Sequence, residues 1–386
     1  MICLNEAVLA KIPSPCFVLD EARLEQNLHR FDRLQQAAPI KVLLALKAFA
    51  LFHSFGTIRN ALYGASASSI WEARLAAEEF GKALHVYAPA YRSEDIPALC
   101  SYASHLTFNS LSQWERYQSV LNTVKTKPSI GLRINPLYSP VKTALYNPCQ
   151  PDSRLGVLLD QIGDRLPTGI EGFLSHNLCE SNAEALEKTL MQIEALYGHL
   201  LSEIRWLNLG GGHLITHQDY DLDRAINALG QFHDRHPHLE LILEPGSAIV
   251  WKTGFLLSTV LDLIPTSTVT HAMLDVSFTA HMPDCLEMPY KPDIVGARSL
   301  LEGEISRGYR LGGSSCLAGD FIGDYGFDQP LSVNDRVLFE DMMHYTMVKT
   351  TMFNGVAHPS IGVLKTSGDF ELWRRFEYED YRSRVG

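Results

Sequence analysis

Eight short apolar runs, each followed by a longer helix-like stretch, constrain this chain more than any other feature. They are KVLLALK (41–47), ALYGAS (61–66), LHVYAP (84–89), HLTFN (105–109), SIGLRIN (129–135), GIEGFLSH (169–176), IRWLNLGGG (204–212) and LELILEPG (239–246). Their Leu, Ile and Val content suits strands buried on both faces, the condition of a parallel sheet covered by helices. Of the intervening stretches, 68–82 starts with Ser caps, puts Trp71, Leu75 and an Ala pair on one face and stops at Gly81; 111–124 has Ser110 or Ser112 as its cap. Strand alternating with helix over about 205 residues predicts a parallel (β/α)8 barrel, with an open doubly wound sheet as the alternative.

Beyond about residue 265 the texture changes. HAMLDVSF, GYRLGG, DRVLFED and HYTMVKT, separated by Gly, Pro and Asp clusters, read as short strands of a second, mainly β domain. PCFVLD (15–20) precedes the barrel and reads as a strand of that same domain. The expected fold class is therefore α/β plus β, with a barrel over 22–265 and a β domain assembled from 1–21 and 266–386. The 33 Lys+Arg and 44 Asp+Glu leave a formal charge of −11, which opposes a nucleic-acid partner and favours cations. Seven cysteines without a C-x-x-C pair form neither a disulfide framework nor a zinc ribbon, and a reducing cytoplasm is expected. No stretch reaches the ~18 uncharged apolar residues of a membrane span, and the start, MICLNEAVLAKIPSP, reads as untargeted.

In such a barrel the chemistry gathers at the carboxyl ends of the strands. Lys47 closes the first run, where burial would leave a neutral, nucleophilic amine suited to a Schiff base; a strand-end lysine also snorkels to water. His176 closes the sixth, as a proton carrier, a flat platform for an aromatic cofactor, or a hydrogen-bonded structural group. Gly210, Gly211 and Gly212 close the seventh, where a backbone without side chains approaches a phosphate closely or simply turns. Glu244 closes the eighth, facing a pyridine nitrogen or forming a salt bridge, and Pro245 and Gly246 then break the strand. Arg133 holds the cofactor's polar side, orients Glu244, or makes a barrel-end ion pair.

A Schiff-base lysine, a ring-facing histidine, a glycine phosphate turn and an acid for a ring nitrogen converge on pyridoxal 5'-phosphate. Over most of its length the chain resembles the fold-type III pyridoxal-phosphate decarboxylases, the family of ornithine and diaminopimelate decarboxylases, with the barrel of alanine racemase more distantly related. The resemblance implies that Lys47 carries the cofactor, that His176 stacks on its ring, and that Gly210–Gly212 and the EPG turn meet its phosphate and ring. SSCLAGD (314–320) resembles the family's cysteine loop, which reaches the partner's active site in a homodimer with shared active sites; Cys316 would donate the proton. HYTMVKTTMFNG (344–355) resembles the closing motif, implying Tyr345 near the phosphate and Phe353 near the dimer-shared pocket.

SHNLCES, GGGHLIT, CLAGDFIGDYGF and above all HMPDCLEMPY (281–290) are similar to the family's polyamine branch, the carboxynorspermidine (carboxyspermidine) decarboxylases. That branch implies release of CO2 from a small cationic amino acid to give norspermidine or spermidine, with Glu244, Asp275, Asp284, Glu287 and Asp320 near substrate or ring. Diaminopimelate or another basic amino acid is the alternative substrate; a racemase and a cofactor-binding regulatory homologue are the alternatives in other classes. EPGS lacks the Arg that many relatives place after EPG, and GASAS lacks the usual acidic residue, so phosphate binding would lean on backbone N–H groups, Ser247 and Tyr345. His281, Asp284 and Cys285 fall short of a zinc set, and His213 and His217 are expected to be exposed loop histidines, so no metal is expected.

Overall fold

The computed structural model describes residues 6–150, 152–301, 304 and 308–386. Cys3 and the start of the N-terminal segment expected to be untargeted lie outside the described residues. Two compact units are present, Asn27–Ile249 and Met1–Gln26 with Val250–Gly386.

The first strand, β1 (Cys16–Asp20), falls in the second unit. The first unit holds β2 (Ile40–Ala45), β3 (Gly64–Ala67), β4 (Ala83–Tyr87), β5 (His105–Phe108), β6 (Ser129–Arg133), β7 (Gly172–Leu174), β8 (Trp206–Asn208) and β9 (Glu240–Leu243). They pair in parallel in chain order, and β9 closes onto β2 with Val42 opposite Leu243. The expected closed barrel is thus present, and closure excludes the open doubly wound sheet. All eight apolar runs supply its strands.

The helices outside follow their caps. Ser110 Oγ accepts the Gln113 N–H at 3.3 Å, and Leu111–Leu121 buries Trp114, Tyr117 and Leu121, spaced by three and four. Ser69 likewise caps Ile70–Leu75, which continues as a π-helical turn to Phe80 and ends at Gly81, with φ +68°. Trp71 departs from expectation: it is 74% exposed, because the buried face is set by Ala73, Ala76 and Phe80, and a residue two before Ala73 points the other way.

In the second unit β1 runs antiparallel to β10 (Gly254–Pro265) and parallel to β16 (Ser360–Leu364), so that Cys16 lies opposite both Leu257 and Ser360. Its other strands are β11 (Thr270–Leu274), β12 (Ala297–Ser299), β13 (Tyr309–Gly312), β14 (Phe321–Phe327), β15 (Arg336–Glu340), β16 (Ser360–Leu364) and β17 (Phe370–Arg374). Among the described residues these nine strands form one sheet, in the order β12-β14-β13-β11-β10-β1-β16-β17, with β15 also on β10. Two expectations are corrected here. Residues 250–265, assigned to the barrel, leave it because β10 pairs with β1, β11 and β15. HYTMVKT (344–350) is a series of turns rather than a strand: Tyr345 takes φ +46°, and the Lys349 N–H bonds back to the Tyr345 carbonyl at 2.9 Å. Among the described residues no helix is long and apolar enough to cross a membrane.

The barrel interior is filled by Trp206, whose indole N–H donates to Ser129 Oγ at 2.9 Å. Its ring occupies the space beside two glycines: a Cβ on Gly172 would sit 2.1 Å from the Trp206 ring, and one on Gly131 would sit 2.3 Å from it. Gly172→Ala is expected to lower stability by about 1–3 kcal/mol through this overlap, seen as a lower urea midpoint with an unchanged m-value.

Candidate active site

The strand ends of the barrel bring Lys47, Arg133, His176, Gly210–Gly212 and Glu244 into one electrostatic group. Lys47 follows β2, and its Nζ lies 3.4 Å from His176 Nε2. Its side chain keeps solvent-accessible surface, yet the amine is enclosed by protein groups. That enclosure, with the positive Arg133 guanidinium, holds the Lys47 amine below its ordinary pKa; Glu244, Cys179 and Glu72 oppose the shift.

His176 is pushed well below the ordinary imidazole value, first by burial and then by the charges of Lys47, Arg133 and His213. Its Nδ1 accepts the Gly211 N–H at 3.0 Å, so the neutral ring carries its proton on Nε2. Nε2–H therefore faces Lys47, and a hydrogen bond between them requires an uncharged amine as acceptor. Geometry and burial thus favour the same protonation state.

Arg133, at the end of β6, is 4% exposed. It donates to Tyr87 Oη at 2.8 Å and to the His176 carbonyl at 2.9 Å, and its guanidinium lies over the Tyr87 ring at 4.9 Å. These contacts correct the barrel-end ion pair: no carboxylate lies within ion-pair distance of it among the described residues. Its charge acts instead on Lys47, His176 and Glu244.

Glu244 follows β9. Burial raises its pKa, while Asn208, Lys47, Ser66 and Arg133 oppose the rise. Asn208 Nδ2 donates to its Oε1 at 2.7 Å. His85 Nδ1 is 3.7 Å from the same oxygen, but burial keeps that imidazole neutral, so the contact is no ion pair. Gly246 packs against the end of β2 and the residues after it, where a Cβ would meet the Ala48 Cβ at 2.5 Å, and Ser247 opens the turn Ser247–Ile249.

The glycine turn is built differently from the expected three-amide phosphate cradle. Gly210 N–H donates to Asn208 Oδ1 at 2.8 Å and Gly211 N–H to His176 Nδ1, so both are turned to the protein's own side chains. Close approach is nonetheless obligatory: a Cβ on Gly212, at φ +91°, would lie 2.0 Å from the Leu178 carbonyl oxygen. His213 is also corrected, being 1% exposed rather than a surface loop histidine, with burial pushing it down to about 4. Sequence reasoning missed Asn208, His85 and Ser66. Their signal was a polar residue inside an apolar strand run, in WLNLGGG, LHVYAP and ALYGAS.

The second unit holds the remaining expected residues. Cys316 is exposed; its N–H donates to Asn354 Oδ1 at 3.1 Å, which joins the cysteine loop to the turn Phe353–Gly355. Asp320, expected near substrate, is 5% exposed and accepts from the Ser315 N–H and the Thr279 N–H, both at 3.0 Å. Its carboxylate holds the loop. Asp275 Oδ1 similarly accepts Ser258 Oγ–H at 2.7 Å and the Thr259 N–H at 2.9 Å. Glu287 is ion-paired with Lys349. Asp284, 8% exposed, takes hydroxyl donors from Thr346 at 2.8 Å and Tyr290 at 3.0 Å on Oδ2, and its buried Oδ1 has no hydrogen-bond partner.

Residues 16–343 match the family model described as pyridoxal-dependent decarboxylase, C-terminal sheet domain. The chain is 68% identical, over 98% of its length and 97% of the relative, to a protein of Synechocystis sp. named carboxyaminopropylagmatine decarboxylase. It is 37% identical, over 97% of its length and 99% of the relative, to the carboxynorspermidine/carboxyspermidine decarboxylase of Campylobacter jejuni. A crystal structure of carboxynorspermidine decarboxylase from Campylobacter jejuni, complexed with norspermidine, matches with a TM-score of 0.88 at 36% identity, over 97% of this chain and all of that one.

Two outcomes are expected. In limited acylation at neutral pH, Lys47 is labelled before the surface lysines, read by peptide mass spectrometry, because its amine is the more deprotonated. Asp320→Ala lowers stability by roughly 1–3 kcal/mol and speeds hydrogen exchange at the Ser315 and Thr279 amides, which lose a charged acceptor.

Proposed function

The chain belongs to the pyridoxal-dependent decarboxylase family, and from that premise we propose that it binds pyridoxal 5'-phosphate at Lys47 and removes the α-carboxylate of a carboxylated polyamine. The meeting of Lys47, His176 and Glu244 at the strand ends carries this reading, because an amine held below its ordinary pKa, a neutral imidazole and a buried carboxylate are the groups such a cofactor needs. When bound, the cofactor supplies an electron sink for the bond that releases CO2.

The chain's own residues do the rest. Lys47, its amine held below the ordinary pKa, would hold the cofactor at its aldehyde carbon. His176, fixed in one tautomer by Gly211, gives the ring a flat face. Glu244 would face the ring nitrogen and keep it protonated. Gly212, Gly246, Ser247 and Tyr345 are assigned to the phosphate, since Gly210 and Gly211 have their N–H groups engaged elsewhere. Cys316, supplied by a second copy in a homodimer, returns a proton to the carbon that loses CO2; its exposure, beside exposed Leu317, Phe321 and Phe353, supports a loop offered to a partner. Asp284 is the acid assigned to the substrate's cationic chain, because it keeps a buried oxygen without a hydrogen-bond partner. Free thiols at Cys16, Cys100, Cys149, Cys179, Cys285 and Cys316 support a reducing, cytoplasmic setting.

Identity of 68% over 98% of the chain favours carboxyaminopropylagmatine as substrate. Carboxynorspermidine and carboxyspermidine, the expectation from sequence, are the second reading, favoured by the 37% relative and the norspermidine complex. All share an amino-acid head on a cationic chain; they differ in a guanidinium or an amine at the far end.

CO2 release by the cofactor-loaded protein is expected to be fastest from carboxyaminopropylagmatine, slower from carboxynorspermidine and carboxyspermidine, and absent from diaminopimelate and ornithine. The reverse order would return the substrate to the second reading. Lys47→Ala should abolish the imine absorbance and nearly all turnover; wild-type turnover in that variant would overturn the chemistry.

A further inference from the structure

Asn208 is 1% exposed, and all its amide groups are engaged. Its Oδ1 accepts the Gly210 N–H at 2.8 Å; because a backbone N–H only donates, this bond decides which end of the amide is oxygen. Nδ2 then gives one hydrogen to Glu244 Oε1 at 2.7 Å and the other to His85 Nδ1 at 3.1 Å. His85, 4% exposed, lies on β4, four strands round the barrel from β8, so the last bond spans the barrel interior. As an acceptor at Nδ1, the neutral His85 ring carries its proton on Nε2, which is buried without a partner. Stacking on His105, with ring centroids 3.8 Å apart, fixes its plane.

We propose that Asn208 and His85 are positioning residues that act through Glu244: His85 locks the Asn208 amide from across the barrel, and the locked amide sets the Glu244 carboxylate and the Gly210 turn in one geometry. The inference rests on the decarboxylase reading of Glu244. The amide cannot turn from the carboxylate without orphaning Gly210 N–H, His85 Nδ1 and one of its own hydrogens, all in a buried setting where unmade hydrogen bonds are costly. The other polar or charged groups facing Glu244 are Lys47 after β2, Ser66 on β3 and Arg133 on β6. Of all of them, Asn208 is first among the influences that favour the carboxylate anion over its buried acid form.

The test uses the full chain with Asn208→Ala, His85→Phe and His85→Gln. Phe keeps the ring and its stacking but removes the acceptor, whereas Gln restores an acceptor oxygen. Titration of Glu244 by difference infrared spectroscopy, referenced to Glu244→Gln, is expected to move up by about one pH unit in Asn208→Ala, less in His85→Phe, and not at all in His85→Gln. In the cofactor-loaded protein the pH titration of cofactor absorbance should move in the same order, and kcat should fall about tenfold in Asn208→Ala with KM little changed. Wild-type titrations in Asn208→Ala and His85→Phe would overturn the proposal. So would a His85→Gln variant as impaired as His85→Phe, because a restored acceptor would then restore nothing; an unimpaired His85→Phe beside an impaired His85→Gln would assign His85 to packing. If Asn208→Ala does not fold, the two His85 variants decide alone. The infrared titration also runs on cofactor-stripped chain, so its failure is separate from absence of CO2 release, which would overturn the decarboxylase reading.

Discussion

The pairing of β9 with β2 is the constraint on which the active-site groups depend. It places residues some two hundred positions apart side by side, and beyond the last strand pairs the Ala45 N–H still reaches the Pro245 carbonyl at 3.0 Å. Lys47 and Glu244 follow these two ends directly. In a closed parallel barrel every strand delivers its final residue to the same rim, so side chains contributed by β3, β6, β7 and β8 meet there without any long loop. The rim is crowded with backbone, and only glycine fits at 210–212 and 246. Polar groups in that crowd find partners in one another. Arg133 without an acid, Lys47 against a histidine and Glu244 under an amide are one coupled system of charge.

The barrel was legible because buried parallel strands leave apolar runs and helices leave caps, and both are local properties of sequence. What was not legible depended on pairing. Residues 250–265 are as apolar as a barrel strand, and only their partners, β1, β11 and β15, reveal that they belong to a sheet. Trp71 looked like core because large aromatics usually are, whereas the helix phase set by Ala73 and Ala76 exposes it. At the site, residue type identified Lys47, His176 and Glu244, each at the end of a run. Asn208 and His85 were hidden in mid-run, where their meaning came from a contact across the barrel.

The acids of the second unit show the same limit from another side. Sequence counts carboxylates but does not say which are already engaged. Asp320 is held on both oxygens by the Ser315 and Thr279 amides, Glu287 is ion-paired with Lys349, and Asp275 is held at Oδ1 by Ser258 and Thr259. A carboxylate held by several of the chain's own donors is architecture, whereas Asp284 keeps a buried oxygen that no group of the chain satisfies. By that distinction five expected acids resolve into distinct roles, and the cysteine loop acquires two anchors, Asp320 and Asn354.

The first strand has a consequence for how this chain is made. β1 leaves the ribosome early, yet one edge awaits β10 and the other awaits β16, which ends at Leu364. At about 5–20 residues per second, nascent β1 spends on the order of tens of seconds with at least one edge unpaired while the barrel strands emerge behind it. Its core residues Phe17, Val18 and Leu19, each no more than 1% exposed in the finished molecule, lack at least one strand partner throughout that interval. C-terminal truncation before Leu364 therefore leaves a hydrophobic edge that nothing later in the chain completes.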